Sequence, residues 1–154
     1  MPTSPRQERH HARYRVLVYS DDATTREQVL LGLGTRPDPD LLALEFVEVA
    51  TAPMVTAAIA AGGIDLAVLD GEAVPAGGMG IAKELRDEFD PCPPILLLIG
   101  RPDDAWLAKW SQADAAVSHP VDPLRLTSAV VPLLSGRIPA AIAAAAGLDT
   151  PNRP

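Results

Sequence analysis

The chain has 154 residues, 47% hydrophobic and 21% charged, which suffices for one ordinary core and leaves no room for a second full domain. Its 13 basic against 20 acidic residues give a net charge of −7, a field that repels phosphate backbones and anionic lipid and argues against nucleic acid as a partner. The single cysteine, Cys92, can form no internal disulfide and no multi-cysteine metal site, and no apolar run approaches the ~20 residues of a membrane helix, so a cytoplasmic location without membrane insertion is expected.

Residues 1–14 read as a flexible, polar tail in which His10 and His11 are solvated. Residues 15–19 (RVLVY) form a short β-rich run, closed by Ser20, Asp21 and Asp22, whose side chains suit a helix N-cap. The helix that follows carries Val29, Leu30 and Leu33 on one stripe and stops near Gly34. Residues 45–49 alternate as a strand should, and Pro53 opens a second helix that ends at Gly62 and Gly63. Residues 66–70 are the third strand. A glycine-rich loop from Gly71 to Gly78 then leads to a helix with Ile81, Leu85 and Phe89 at i, i+4, i+8 spacing. Pro91, Pro93 and Pro94 break the chain, and Cys92 between them reads as an inert loop thiol. Residues 95–99 are apolar at five consecutive positions, as in a parallel strand covered on both faces. A short helix begins near Asp103, residues 115–118 form the fifth strand, and the last helix runs from about Pro123 to Leu134. In the Ala- and Pro-rich tail, residues 135–154, the run from Ala140 to Ala146 favours a helix by propensity but is too short to be stable alone.

Five strands in strict alternation with five helices predict one α/β domain over residues 15–134: a doubly wound, five-stranded parallel sheet of flavodoxin-like order 2-1-3-4-5 with helices on both faces. Chemistry in such a sheet sits at the carboxyl ends of the strands, beside the switch in strand order. Strands one and three end there in Asp21 and Asp70, a pair of carboxylates that suits Mg²⁺. Asp70 there is also placed to attack a phosphoryl group. The plainer alternative is that Asp21 caps a helix and Asp70 merely ends a strand.

Over residues 16–134 the sequence resembles a response-regulator receiver domain, the phospho-acceptor module of two-component signalling. VLVYSDDATTRE resembles the receiver's first strand and acidic turn, with Asp21 at the metal-binding acid and Arg26 at a common arginine. Asp70, closing IDLAVLD, falls at the phospho-acceptor position. Gly78 and Arg86 stand at the family's usual offsets of eight and sixteen, Pro75 is one residue late, and His119-Pro120 replaces a Lys-Pro pair whose peptide bond is usually cis.

Four departures set the functional expectation. Ser20 replaces the first of two adjacent acids, which removes a formal charge from the metal pocket and weakens any Mg²⁺ site. Ile99 replaces a Ser or Thr whose hydroxyl bonds the phosphoryl oxygen, and has no donor to offer. His119 replaces the lysine that pairs with the phosphoryl group and is a cation only when protonated. Ala116 replaces the aromatic that rotates on activation. The resemblance therefore implies a stand-alone pseudo-receiver, not an enzyme, in which Asp70 is a vestigial phospho-acceptor and output goes through direct protein contact. The rival is a phosphorylation-competent receiver using Asp70 and Mg²⁺, with a histidine kinase as partner. Similarity to actinobacterial orphan regulators adds a respiratory NADH:quinone oxidoreductase as a partner to consider, with the protein then peripheral on a membrane complex. Trp106 and Trp110 share one face of the short fourth helix; at least one is expected to pack on the sheet, and the more exposed one to anchor the partner.

Overall fold

The computed structural model describes residues 12–145. Its strands are β1 (Tyr14–Tyr19), β2 (Leu44–Val49), β3 (Leu66–Asp70), β4 (Ile95–Ile99) and β5 (Ala115–Ser118). All pair in parallel, in the order β2-β1-β3-β4-β5, so the doubly wound sheet expected from the alternation of elements is what the chain forms. The helices are α1 (Ala23–Leu33), α2 (Ala52–Ala61), α3 (Gly78–Glu88), α4 (Ala105–Trp110), α5 (Pro123–Leu134) and α6 (Ala140–Ala145), with a 3₁₀ turn at Pro102–Asp104 leading into α4.

Alternation along the strands divides the core between two faces. Val16, Val18, Leu66, Val68, Leu96 and Leu98 point to one side, where Val29 and Leu33 of α1 and Leu126, Val130 and Leu134 of α5 cover them. Leu17, Tyr19, Ala67, Leu69, Leu97 and Ile99 point to the other, under Val55 and Ile59 of α2, Ile81 and Leu85 of α3, and Ala108 of α4. β3 and β4 are buried at every residue, which is why their sequences are continuous apolar runs. Helix starts follow the side chains read as caps: Asp22 accepts from the Thr24 amide at 2.9 Å, Thr51 from Met54 at 3.4 Å, and Asp122 from Leu124 at 2.9 Å.

Two expectations need correcting. The fourth helix is a stub of six residues that turns only Ala108 fully inward, so neither indole packs on the sheet: Trp106 is 65% exposed and Trp110 53%. Positions 106 and 110 lie on the side of the helix away from Ala108, and the stub is too short to wrap them onto β4 or β5. There is also a sixth helix. Within the tail, residues 137–145 fold back on the domain: the Ala140 amide, at the start of α6, donates to Asp65 Oδ1 at 2.7 Å, and the Tyr14 hydroxyl donates to the Arg137 carbonyl at 2.7 Å. Asp65, with no exposed surface, also accepts from the Arg15 amide at 2.9 Å, and so joins the starts of β1, β3 and α6. Burial pushes its carboxyl above the usual carboxylate range, and the two amide donors and the charges of Arg137 and Arg15 offset only part of that.

Candidate functional site

The parallel register puts the ends of β1, β3 and β4 side by side, so Ser20, Asp70 and Ile99 meet at one edge of the sheet, with His119 arriving just after β5. Asp70 is only 3% exposed. Its Oδ2 accepts from Ser20 Oγ at 2.8 Å, and its Oδ1 lies 3.1 Å from His119 Nε2 and accepts from the Glu72 amide at 2.9 Å. Ser20, itself fully buried, accepts from the Asp22 amide at 3.1 Å through the same Oγ. Both oxygens of the candidate acceptor are therefore held by the protein's own donors. The peptide bond from His119 to Pro120 is cis, and the His119 amide donates to the Ile99 carbonyl at 2.8 Å.

Asp21 sits at the same end but faces outward, and its Oδ1 accepts from the Val74 amide at 3.2 Å. That bond draws the loop after β3 across the edge of the site. Tyr19 fastens the same loop from below, donating its hydroxyl to the Ala76 carbonyl at 2.5 Å; burial, and then the negative charges of Asp21 and Asp70, hold that phenol above its ordinary pKa. Arg26 donates to the Ser20 carbonyl at 2.6 Å and pairs with Glu48 at 3.3 Å, which fixes the peptide that presents Ser20. Sequence reasoning did not find the parts of Tyr19, Val74 and Glu72, because each acts through a backbone group or through a residue far along the chain.

A hard divalent cation needs carboxylate oxygens free to replace its waters. Here the two oxygens of Asp70 and one of Asp21 are engaged, and among the described residues no group of three or more His, Cys, Asp or Glu side chains is placed to hold a metal. The residues present fit Mg²⁺ poorly. Nor does the Ser20, Asp70 and His119 line make a nucleophilic triad: the carboxylate stands in the middle and takes the serine proton's hydrogen bond, whereas activation needs the imidazole between hydroxyl and acid.

The remaining sequence candidates fall outside the pocket. Gly78 begins α3 directly against the end of β3, and Arg86 donates to the Gln112 carbonyl at 3.1 Å and pairs with Asp114, tying α3 to the approach to β5. Ala116 is half-buried beside a groove of about 560 Å³ lined also by Ile99, Ala105, Leu124 and Ala129. Trp106 and Trp110 stand on α4, with Lys83 Nζ 5.5 Å from the Trp110 ring centre. Cys92 is half-buried and burial pushes its thiol pKa up, which leaves it a poor nucleophile. His10 and His11 lie outside the described residues.

No family model matches the chain. An uncharacterized response regulatory protein of Mycobacterium tuberculosis, the same in strains H37Rv and CDC 1551 / Oshkosh, is 63% identical over 120 residues, covering 78% of this chain and 90% of that one. The chain belongs to the response regulators. Solved receivers agree on the fold: the chemotaxis response regulator CheY4 of Vibrio cholerae has a TM-score of 0.67 at 21% identity, covering 80% of this chain and 100% of its own. A two-component response regulator from Clostridium difficile has 0.66 at 16% identity, covering 80% and 98%. The relative shows the family and the solved structures show the receiver fold. Among the described residues of this response regulator, no helix is long and apolar enough to cross a membrane.

Proposed function

We propose that this response regulator is a stand-alone pseudo-receiver: it keeps the receiver fold as a binding surface and signals by protein contact, independently of phosphorylation. One observation carries the reading. Asp70 is already satisfied on both oxygens by Ser20 and His119, at 2.8 and 3.1 Å. A phosphoryl group on Asp70 would have to break those bonds, and the groups that should reward it are missing. Ile99 has no donor, and Ala116 has no rotamer to change. Modification changes a signalling state only through contacts that differ between two states, and these are absent.

The binding surface is the flank formed by α4, β5 and α5. Ala105 of α4 and the 78% exposed Leu124 of α5 line the groove beside Ala116, and Trp106, the next residue after Ala105, is 65% exposed. Large exposed aromatics beside a groove are the usual anchors of an interface. A protein of a larger assembly is the partner this reading calls for. The respiratory NADH:quinone oxidoreductase is the one that the resemblance offers, which would hold the protein at a membrane complex without inserting it.

Incubation with Mg²⁺ and acetyl phosphate, read by intact mass, tests the proposal. The expected result is an unchanged mass. A near-stoichiometric phosphate adduct that is lost in Asp70→Asn would overturn it and make the protein a competent relay receiver served by a histidine kinase.

A further inference from the structure

We propose that the partner of this response regulator presents an acidic side chain to Lys83, so that the docking surface reaches from α4 onto α3. The proposal rests on the pseudo-receiver reading and names the chemistry of the partner that the reading leaves open.

Lysine is scarce in this chain. There are two, Lys83 and Lys109, against 20 acids, and both stand beside the tryptophans of α4. Lys109 is exposed, precedes Trp110 and follows Trp106 by three residues, so one turn of α4 carries it with both rings. Lys83 comes from α3. Its ammonium lies 5.5 Å from the centre of the Trp110 ring, which joins the two helices at their surface by a cation and an indole.

The company Lys83 keeps is informative. Asp87 follows it at i+4 on the same helix, yet among the described residues neither it nor any other carboxylate pairs with the ammonium. A lysine that precedes its acid is the poorer order for such a pair. Arg86, the other cation of α3, shows the contrast: it donates to the Gln112 carbonyl at 3.1 Å and pairs with Asp114, so its charge is already spent.

An indole face holds an ammonium without using it up. The ring offers the negative charge of its π cloud but no lone pair, so it gives none of the three N–H donors an acceptor. It also keeps a long side chain in place, which lowers the ordering cost of a contact before the partner arrives. A carboxylate is the group that a placed cation with free donors recognises, and Lys109 adds a second cation nearby. Asp103, at the start of the same surface, would repel such a group, which sets the partner's acid against α3 and not against the turn before α4. An anionic lipid surface has the same charge as a carboxylate, but a chain of net charge −7 is repelled by a whole sheet of it.

The test uses the full chain as bait in an extract of the cells that make it, followed by a water-soluble carbodiimide. The reagent adds to a carboxylate, the lysine amine attacks the activated carbonyl, and a urea leaves with the carboxylate oxygen, so an amide marks each close pair of lysine and acid. The expected result, located by mass spectrometry, is an amide from Lys83 to an Asp or Glu of another protein. Lys83→Arg should lose that link, because a guanidinium is not joined, and keep the binding. Titrated against the protein so identified, Lys83→Gln should bind about fivefold more weakly and Lys83→Glu about tenfold or more. Added salt should weaken the parent more than Lys83→Gln.

A Lys83 link that forms only to Asp87 of its own chain, or to a second copy of the chain, overturns the proposal. So does an unchanged affinity in both Lys83→Gln and Lys83→Glu when circular dichroism shows them folded. Binding to phosphatidylglycerol vesicles that is lost in Lys83→Gln would overturn it in favour of lipid. If the unaltered chain holds no protein at all, the pseudo-receiver reading falls, and the proposal falls with it.

Discussion

Gly78 shows how tightly the pocket is tied to the backbone beneath it. A methyl group there would stand 2.9 Å from the carbonyl carbon and oxygen of Asp70 and from Cβ of Leu69, contacts that no real Cβ sustains. Two of these neighbours are backbone and the third is a Cβ fixed to its own backbone, so none can swing aside. Gly78→Ala should therefore destabilise the fold by about 1–3 kcal/mol, as other overpacked sites do, seen as a lower urea midpoint. The spacing of eight from Asp70 was legible in the sequence. Its reason was not, because the close approach of α3 to β3 exists only once both elements are in place. The same holds for Ser20. As a letter it reads as an acid lost, whereas in the fold its hydroxyl donates to Asp70 and accepts from the Asp22 amide, so it fills the position with hydrogen bonds instead of charge.

The elements divide by how local their causes are. β3 and β4 were plain in the sequence because a strand buried on both faces must be apolar throughout, and the helix starts at Asp22, Thr51 and Asp122 follow from side chains within three residues of the amides they cap. α4 was misjudged for the opposite reason. Its length is set by how little of it the sheet accepts, and a pair of tryptophans at i, i+4 looks the same whether the face turns in or out. Since both rings are exposed and bear no load in the core, Trp106→Ala should weaken partner binding by about 2 kcal/mol, roughly thirtyfold, while leaving the thermal midpoint nearly unchanged. Titration against the purified partner, alongside a melting curve, checks both halves of that statement. Binding that survives the change would move the interface to α1 or the tails. Trp110, with Lys83 over its ring, should contribute less. α6 was recognised as a helix former, but its anchor is Asp65, 75 residues away, and an aspartate before a strand gives no sign of such a role.

At the scale of the molecule, Asp65 leaves its mark on the dependence of stability on pH. Its carboxyl is raised in the folded state by burial, so the folded chain binds the proton more readily than the unfolded one. The stability it contributes is then greatest below the ordinary carboxylate pKa of about 4 and is lost as the pH rises through the higher folded value. Asp65→Asn cannot titrate. It also leaves one of the amides of Arg15 and Ala140 without an acceptor, so it should be less stable than the parent, by a margin that narrows from pH 4 to pH 7. Urea midpoints of the two proteins at those two pH values decide it; a margin that widens with pH would reverse the sign of the shift.

The bond from the Tyr14 hydroxyl to the Arg137 carbonyl has a practical consequence for presenting this protein to others. It sets the entry of the domain beside its exit, both at the pole where the strands begin, while Asp70, Glu72 and His119 crowd the pole where they end. A bead or dye attached beside the start of β1 or the start of α6 would leave the acid pocket at the opposite pole facing outward, like a lamp on a stem. The same closeness suits circular permutation of the domain: a bridge could join the start of β1 to the segment after α5, and a new opening could be cut at the exposed turn around Gly62 without breaking a rung of the sheet.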